Sequence, residues 1–250
     1  MHAQVRLSMN ANDAHSQRLH RARSYPYDFP EHSFTYQDGA LRAFDPALTD
    51  KRTPVLAIGS NQSPHRLTQK FGDDASHVIP VQRAQLTDFD VVFSAHISGY
   101  GAVPAMLQTS PGATVAIAVT WLTDEQLEIM HATEIVGANY WFAQLQEVTV
   151  TLDDGAIHHQ AFAYLSSKGH LNIDSAPVAL AAIHCAGRRN RMMSTAQALE
   201  HVRQRVAKDL HADQFVHRLI DDGEYRQQVI DSISADAGQF SHPMRILRSV

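Results

Sequence analysis

Val55–Leu67 reads VLAIGSNQSPHRL, and Glu134 closes the stretch LTDEQLEIMHATE about seventy residues later. The apolar run Val55–Ile58 predicts a strand that stops at Gly59-Ser60-Asn61. Ser63 then reads as a helix N-cap with Pro64 at the first helical position, where its missing N–H costs nothing. A strand, a small-residue turn and a helix N-terminus together offer a cradle of backbone N–H groups suited to a carboxylate or phosphate. Many strand-to-helix turns use Gly, Ser and Asn, so the acid further along is what gives this one its interest.

Outward from that turn, Pro64–Phe71 predicts a short helix, while Val78–Val81 and Asp90–Ile97 carry β-formers and predict two strands. Ser110-Pro111-Gly112 reads as a proline-glycine turn that reverses Met106–Gln108 into Thr114–Trp121. Thr123 and Gln126 have capping-box spacing, so a helix runs from there to Glu134, with Leu127, Met130 and His131 on one face. Tyr140–Leu152 and Ala156–Leu165 predict a hairpin closed through Asp153-Asp154-Gly155. Beyond residue 175, Val178–Cys185, Ala196–Leu210 and Asp213–Ile220 show three- and four-residue apolar spacing and predict helices. The expected class is α+β: a mixed β-barrel over 53–170 with peripheral helices, and a helical extension over 171–250. Those helices are expected to pack on the core or to make a homodimer contact. Residues 1–52 read as a frayed, disordered start of about twenty residues, then an arm whose Tyr25, Tyr27 and Phe29 pack on the core.

Composition narrows the function. The chain has 250 residues and a net charge of −5. Residues 51–185 hold 6 Lys/Arg against 12 Asp/Glu, which argues against a nucleic-acid partner there. Arg188-Arg189-Asn190-Arg191 is the one dense basic cluster and reads as a solvated helix edge. No apolar run is long enough for a membrane helix, and the polar N-terminus has no signal-like core. Cys185, the one cysteine, excludes an intramolecular disulfide and fits a reducing compartment, the cytoplasm by default; it reads as a buried structural thiol in an apolar helix. The 16 histidines are scattered, with no HExxH pair, and a single cysteine cannot build a thiolate zinc site. No metal and no cofactor are expected.

The middle zone resembles the gamma-glutamylcyclotransferase-like family over about residues 54–168. The resemblance is carried in order by Ile58-Gly59-Ser60-Asn61 after the first strand, Ser63-Pro64 at a helix start, and Ser110–Val115 as a proline-glycine hairpin feeding a strand. Leu122–Leu127, Glu134 and Tyr140 complete the order. Three positions depart from the family pattern. Ile58 stands where tyrosine is usual, Ile135 where glycine is common after the acid, and His131 where an aspartate often precedes it.

The resemblance implies a barrel of that type and a reaction in which a γ-glutamyl amide cyclises to 5-oxoproline, releasing an amine or amino acid. The substrate's own α-amine attacks its γ-carbonyl, so holding one conformer supplies much of the acceleration and no enzyme nucleophile is needed. Glu134 is the implied general acid/base, taking the α-ammonium proton and returning it to the leaving nitrogen. Shielding by Ile135, Val136 and Trp141 would raise its pKa toward neutrality. Ile58, Gly59, Ser60 and Asn61 are the expected binders of the substrate carboxylate or the developing oxyanion, and Tyr140 of the pocket wall. The expected partner is a small molecule with a zwitterionic γ-glutamyl end. Two alternatives stay open: a non-catalytic small-molecule binder on the same fold, and an interaction module built on the C-terminal helices.

Overall fold

A computed structural model describes residues 11–73, 76–135 and 139–249. The opening apolar run is strand β3, after β1 (Phe34–Gln37) and β2 (Ala40–Ala43); β3 itself spans Thr53–Ala57. It is followed by β4 (Ile79–Phe93), β5 (Ala105–Leu122), β6 (Tyr140–Leu152) and β7 (Ile157–Ser166). β3 pairs antiparallel with β5 and parallel with β7. β7 pairs β6, β6 pairs β4 and β4 returns to β5, closing a mixed five-stranded barrel. β1 and β2 extend β4 outward, and a C-terminal strand, Met244–Arg248, adds to β6. The fold is α+β.

β3 reads as an unbroken apolar run because both of its faces are covered. Leu56, with Ile58 just beyond, belongs to the larger core, while Val55 and Ala57 face a smaller one. The smaller core is roofed by helices α2 (Pro64–Phe71) and α3 (Asp124–Glu134), which follow helix α1 (Ala11–Arg23) in the chain. Leu67 and Phe71 of α2 and Met130 of α3 are buried there. α3 starts on a complete capping box: Gln126 N–H donates to Thr123 Oγ1 at 3.3 Å, and Thr123 N–H to Gln126 Oε1 at 3.1 Å. Thr123→Ala is expected to cost about 1 kcal/mol, read as a lower urea midpoint with unchanged slope.

The proline-glycine segment is not a reversal. β5 runs straight through Ser110-Pro111-Gly112 while β4 runs opposite it, and the register shifts between Thr87 and Phe89. Asp88 (φ 65) and Gly112 (φ 80) take left-handed backbone there, and Gly112 N–H donates to Asp88 Oδ1 at 2.7 Å. This is a bulged bend in two long strands, a place that tolerates proline and glycine as well as a turn does. The predicted strands Val78–Val81 and Asp90–Ile97 accordingly mark the start and end of one long β4, whose last strand residue is Phe93, so Ser94–Ile97 lie beyond it.

Val178–Cys185 is not helical either. Ala179-Leu180 pairs with Met192-Met193 and with Val92, and Cys185-Ala186 pairs with Val115 and Thr114. Val178, Leu180 and Ile183 are buried as the chain crosses the barrel; a short apolar run buried this way has no period that separates strand from helix. Cys185 is half-buried, and burial pushes its thiol up to about 11. The basic cluster is not on a helix, and only part of it is solvated: Arg189 and Arg191 are exposed. Arg188 pairs with the fully buried Asp90 at 2.9 Å, and Asn190 Nδ2 donates to the same carboxylate at 3.2 Å. A buried carboxylate needs that compensation.

At the N-terminus, the expected disordered start contains α1. Its polar sequence has no apolar stripe, and its anchors lie far along the chain. They are α4 (Thr195–Val206) and α5 (Ala212–Asp221), which precede α6 (Gly223–Ser234). Arg23 pairs with Asp213 at 2.6 Å, Arg18 with Asp221, and His15 stacks on His217. The arm behaves as expected: Tyr25 is buried, and Tyr27 and Phe29 pack on the same core. Leu199, Val202, Phe215, Leu219, Ile230 and Ile233 join that core from the C-terminal helices. Among the described residues, no helix is long and apolar enough to cross a membrane.

Candidate active site

The end of β3 delivers Ile58 and Gly59 to the rim of a cavity of about 310 Å³. Ser60–Gln62 then forms a tight 3₁₀ turn, and Ser63 takes the N-cap position of α2 with Pro64 following. Ser63 makes no side-chain cap bond. Ile58, Gly59, Ser60 and Asn61 line the cavity from one side, and Glu134, at the last residue of α3, and Tyr140, at the first of β6, line it from the other. Every site residue named from the sequence therefore meets in one cavity.

Two amides just past the turn are engaged: Gln62 N–H donates to Gly59 O, and Ser63 N–H to Ser60 O. The hydroxyl of Tyr25 takes the Ala105 N–H at 2.9 Å. A phenol from the arm thus packs against the turn at Gly59.

Glu134 Oε1 is ion-paired with Lys70 Nζ and accepts a hydrogen bond from Asn61 Nδ2 at 3.2 Å. The Lys70 side chain is 1% exposed, and its ammonium also donates to Thr133 Oγ1 at 2.8 Å. Burial pushes the Glu134 carboxyl up and is the largest single influence on it. The Lys70 charge and hydrogen bond, then the Asn61 amide and the Arg66 charge, overcome that and hold it below the ordinary glutamate value. The expected rise toward neutrality is thereby reversed: Ile135 is buried as foreseen, but a buried cation was not in view. Val136, the second expected shield, lies outside the described residues. Burial in turn pulls Lys70 down. Glu134 is an ionised carboxylate with a built-in counter-ion.

The rest of the wall is neutral or cationic. Burial, then the charges of Lys168 and Arg226, lower His96 to about 4, so its imidazole is uncharged, and its buried Nδ1 has no partner within the protein. Burial raises Tyr140 and Tyr164, keeping both phenols protonated. His131 Nδ1 is 2.8 Å from the Tyr164 hydroxyl, so the residue that stands in the place of an aspartate fixes a wall tyrosine. Arg66, one turn before Lys70 on α2, also lines the cavity.

Lys70, Arg66, Tyr25 and His96 were not foreseen. The (i, i+4) pair Arg66/Lys70 on an amphipathic helix was the available sign of a basic stripe facing an acid. Tyr25 and His96 leave no such local trace. Among the described residues, no group of three or more His, Cys, Asp or Glu is placed to hold a metal ion.

No family model matches this chain, and no curated protein matches it. Solved structures do. One described as "Gamma-glutamyl cyclotransferase" is 14% identical, covering 78% of this chain and 94% of that one, with a TM-score of 0.40. The structure of an uncharacterized Homo sapiens protein is 15% identical over 86% and 94% of the two chains, with a TM-score of 0.38. A solution structure from Arabidopsis thaliana is 18% identical over 48% and 72%, with a TM-score of 0.36. Superpositions this loose carry nothing about the chemistry of the site.

Proposed function

We propose that the cavity binds a small molecule by a zwitterionic γ-glutamyl end and cyclises it to 5-oxoproline, releasing the amine half. The observation that carries this reading is an ionised Glu134 lining one cavity with the Ile58–Asn61 turn. An ionised carboxylate is the form needed to accept a proton from an α-ammonium group. The freed amine attacks the γ-carbonyl carbon within the same molecule. As the new C–N bond forms, the carbonyl electron pair moves to oxygen; it returns as the bond to the leaving nitrogen breaks. Glu134 hands its proton to that nitrogen. Lys70 keeps the carboxylate ionised before the first transfer and favours its release of the proton in the second. Arg66 is assigned to the α-carboxylate of the substrate, because its guanidinium lines the same cavity as Glu134. Tyr140 and His96 supply neutral polar groups to the wall.

One observation favours a second reading, a binder without turnover: the Lys70 contact makes Glu134 a weaker base than a carboxylate buried alone. A screen of γ-glutamyl peptides and γ-glutamyl amines, with released 5-oxoproline as readout, separates the two. Release from at least one compound supports the enzyme. Binding without release from any of them supports the binder.

A further inference from the structure

The Tyr25 hydroxyl is the one phenol set against the Gly59-Ser60 turn, and it arrives from outside the barrel. Its oxygen receives the Ala105 N–H at 2.9 Å. A phenol oxygen has one proton and limited accepting capacity. With that backbone donor on the oxygen, its own proton is left to point into the cavity that Tyr25 lines. The ring is fixed in that pose. It is 6% exposed, its edge meets Tyr27 at 5.9 Å, and Thr195 Oγ1 donates to its carbonyl at 2.7 Å. The turn is shaped around it too: a Cβ on Gly59 would lie 2.1 Å from the hydroxyl oxygen.

We propose that Tyr25 is a catalytic hydrogen-bond donor to the substrate oxygen that gains charge in the cavity. On the cyclisation reading above, that atom is the γ-carbonyl oxygen. The O–H does not transfer its proton: it stabilises the oxygen while the carbonyl electron pair resides there and relaxes when the pair returns. The Ala105 N–H feeding the phenol oxygen polarises its O–H, as hydrogen bonds in a chain do. Burial raises the phenol's pKa, so the donor stays protonated across the working range. A fixed donor aimed at developing charge needs no reorganisation during the reaction. The arm is therefore part of the active site, and Ile58 needs no hydroxyl of its own.

The test compares wild type, Tyr25→Phe and Glu134→Gln as full chains on a γ-glutamyl compound that wild type turns over. Tyr25→Phe is expected to lower kcat by about 10²-fold with little change in KM. An unchanged kcat overturns the proposal. Tyr25→Phe also strips an acceptor from the Ala105 amide, so circular dichroism must show a folded protein. If it does not, site-specific 3-fluorotyrosine at position 25, nearly isosteric and more acidic, replaces it; a changed kcat at constant KM supports the donor and an unchanged one overturns it. Wild type that releases no 5-oxoproline sinks the reaction alone, and calorimetry with 5-oxo-L-proline then decides Tyr25. Binding about tenfold weaker in Tyr25→Phe supports the donor. Equal binding, or none by wild type, overturns it.

Discussion

Glu134→Gln is expected to lower kcat for 5-oxoproline release by about 10²- to 10⁴-fold, the usual worth of a positioned general acid/base. The amide keeps the shape of the carboxylate, and its Oε1 still accepts from Asn61 Nδ2. What it loses is the ability to take a proton. KM should change little, because the substrate's carboxylate contact is assigned to Arg66 and not to this residue. The fold should also survive. Lys70 would lose its counter-ion inside the protein, but burial already pulls its pKa down, so it meets the loss by giving up its proton. The check is a steady-state comparison at saturating substrate with thermal unfolding alongside. Full turnover by a folded Glu134→Gln protein would remove Glu134 from the mechanism.

Lys70→Met is the second large effect, and its sign depends on pH. Methionine fills the space of the lysine stem without the charge. Glu134 is left buried and loses its strongest downward influence, so its pKa rises above the ordinary 4.5 instead of lying below it. In the wild type, a depressed carboxyl contributes stability that is present above the unfolded pKa and lost as pH falls through the folded one. In the variant the folded pKa is the higher, so stability falls as pH rises above the unfolded value. Breaking a buried pair costs about 3–5 kcal/mol. Lys70→Met should therefore show most of that loss at neutral pH and less near pH 4, by urea denaturation at both. The acid limb of kcat/KM should move to higher pH in step. A parallel loss at both pH values, with no movement of the limb, would mean that the lysine does not set the charge state of Glu134.

How far the sequence foretold the site follows from where its information sits. The Ile58–Asn61 turn, α2, the capped α3 and the β6–β7 hairpin are written in local periodicity and cap residues, and all of them appear. Their meeting at one cavity is what the family resemblance implied. The charge state of Glu134 did not, because Lys70 acts across about sixty residues of chain and through a helix packing that no local pattern encodes. Tyr25 was placed on the core but not at the cavity, since the Ala105 N–H and the Gly59 backbone that it meets belong to other elements. The two misread segments share a cause. Pro111-Gly112 and Val178–Cys185 carry signals that two structures satisfy equally: a turn or a bulge for the first, a helix or a crossing strand pair for the second.

The clamp between the two ends of the chain has a consequence for the order of events during synthesis. The barrel strands are all translated by Ser166. The fixing bond to Tyr25 comes from Thr195, and the ion pairs that seat α1 come from Asp213 and Asp221. The residues that line the cavity all precede Ser166, so the barrel and its wall groups are complete in the chain before the groups that clamp the arm from the far end. The C-terminal helices are synthesised last, as a latch over a wall whose members are already present.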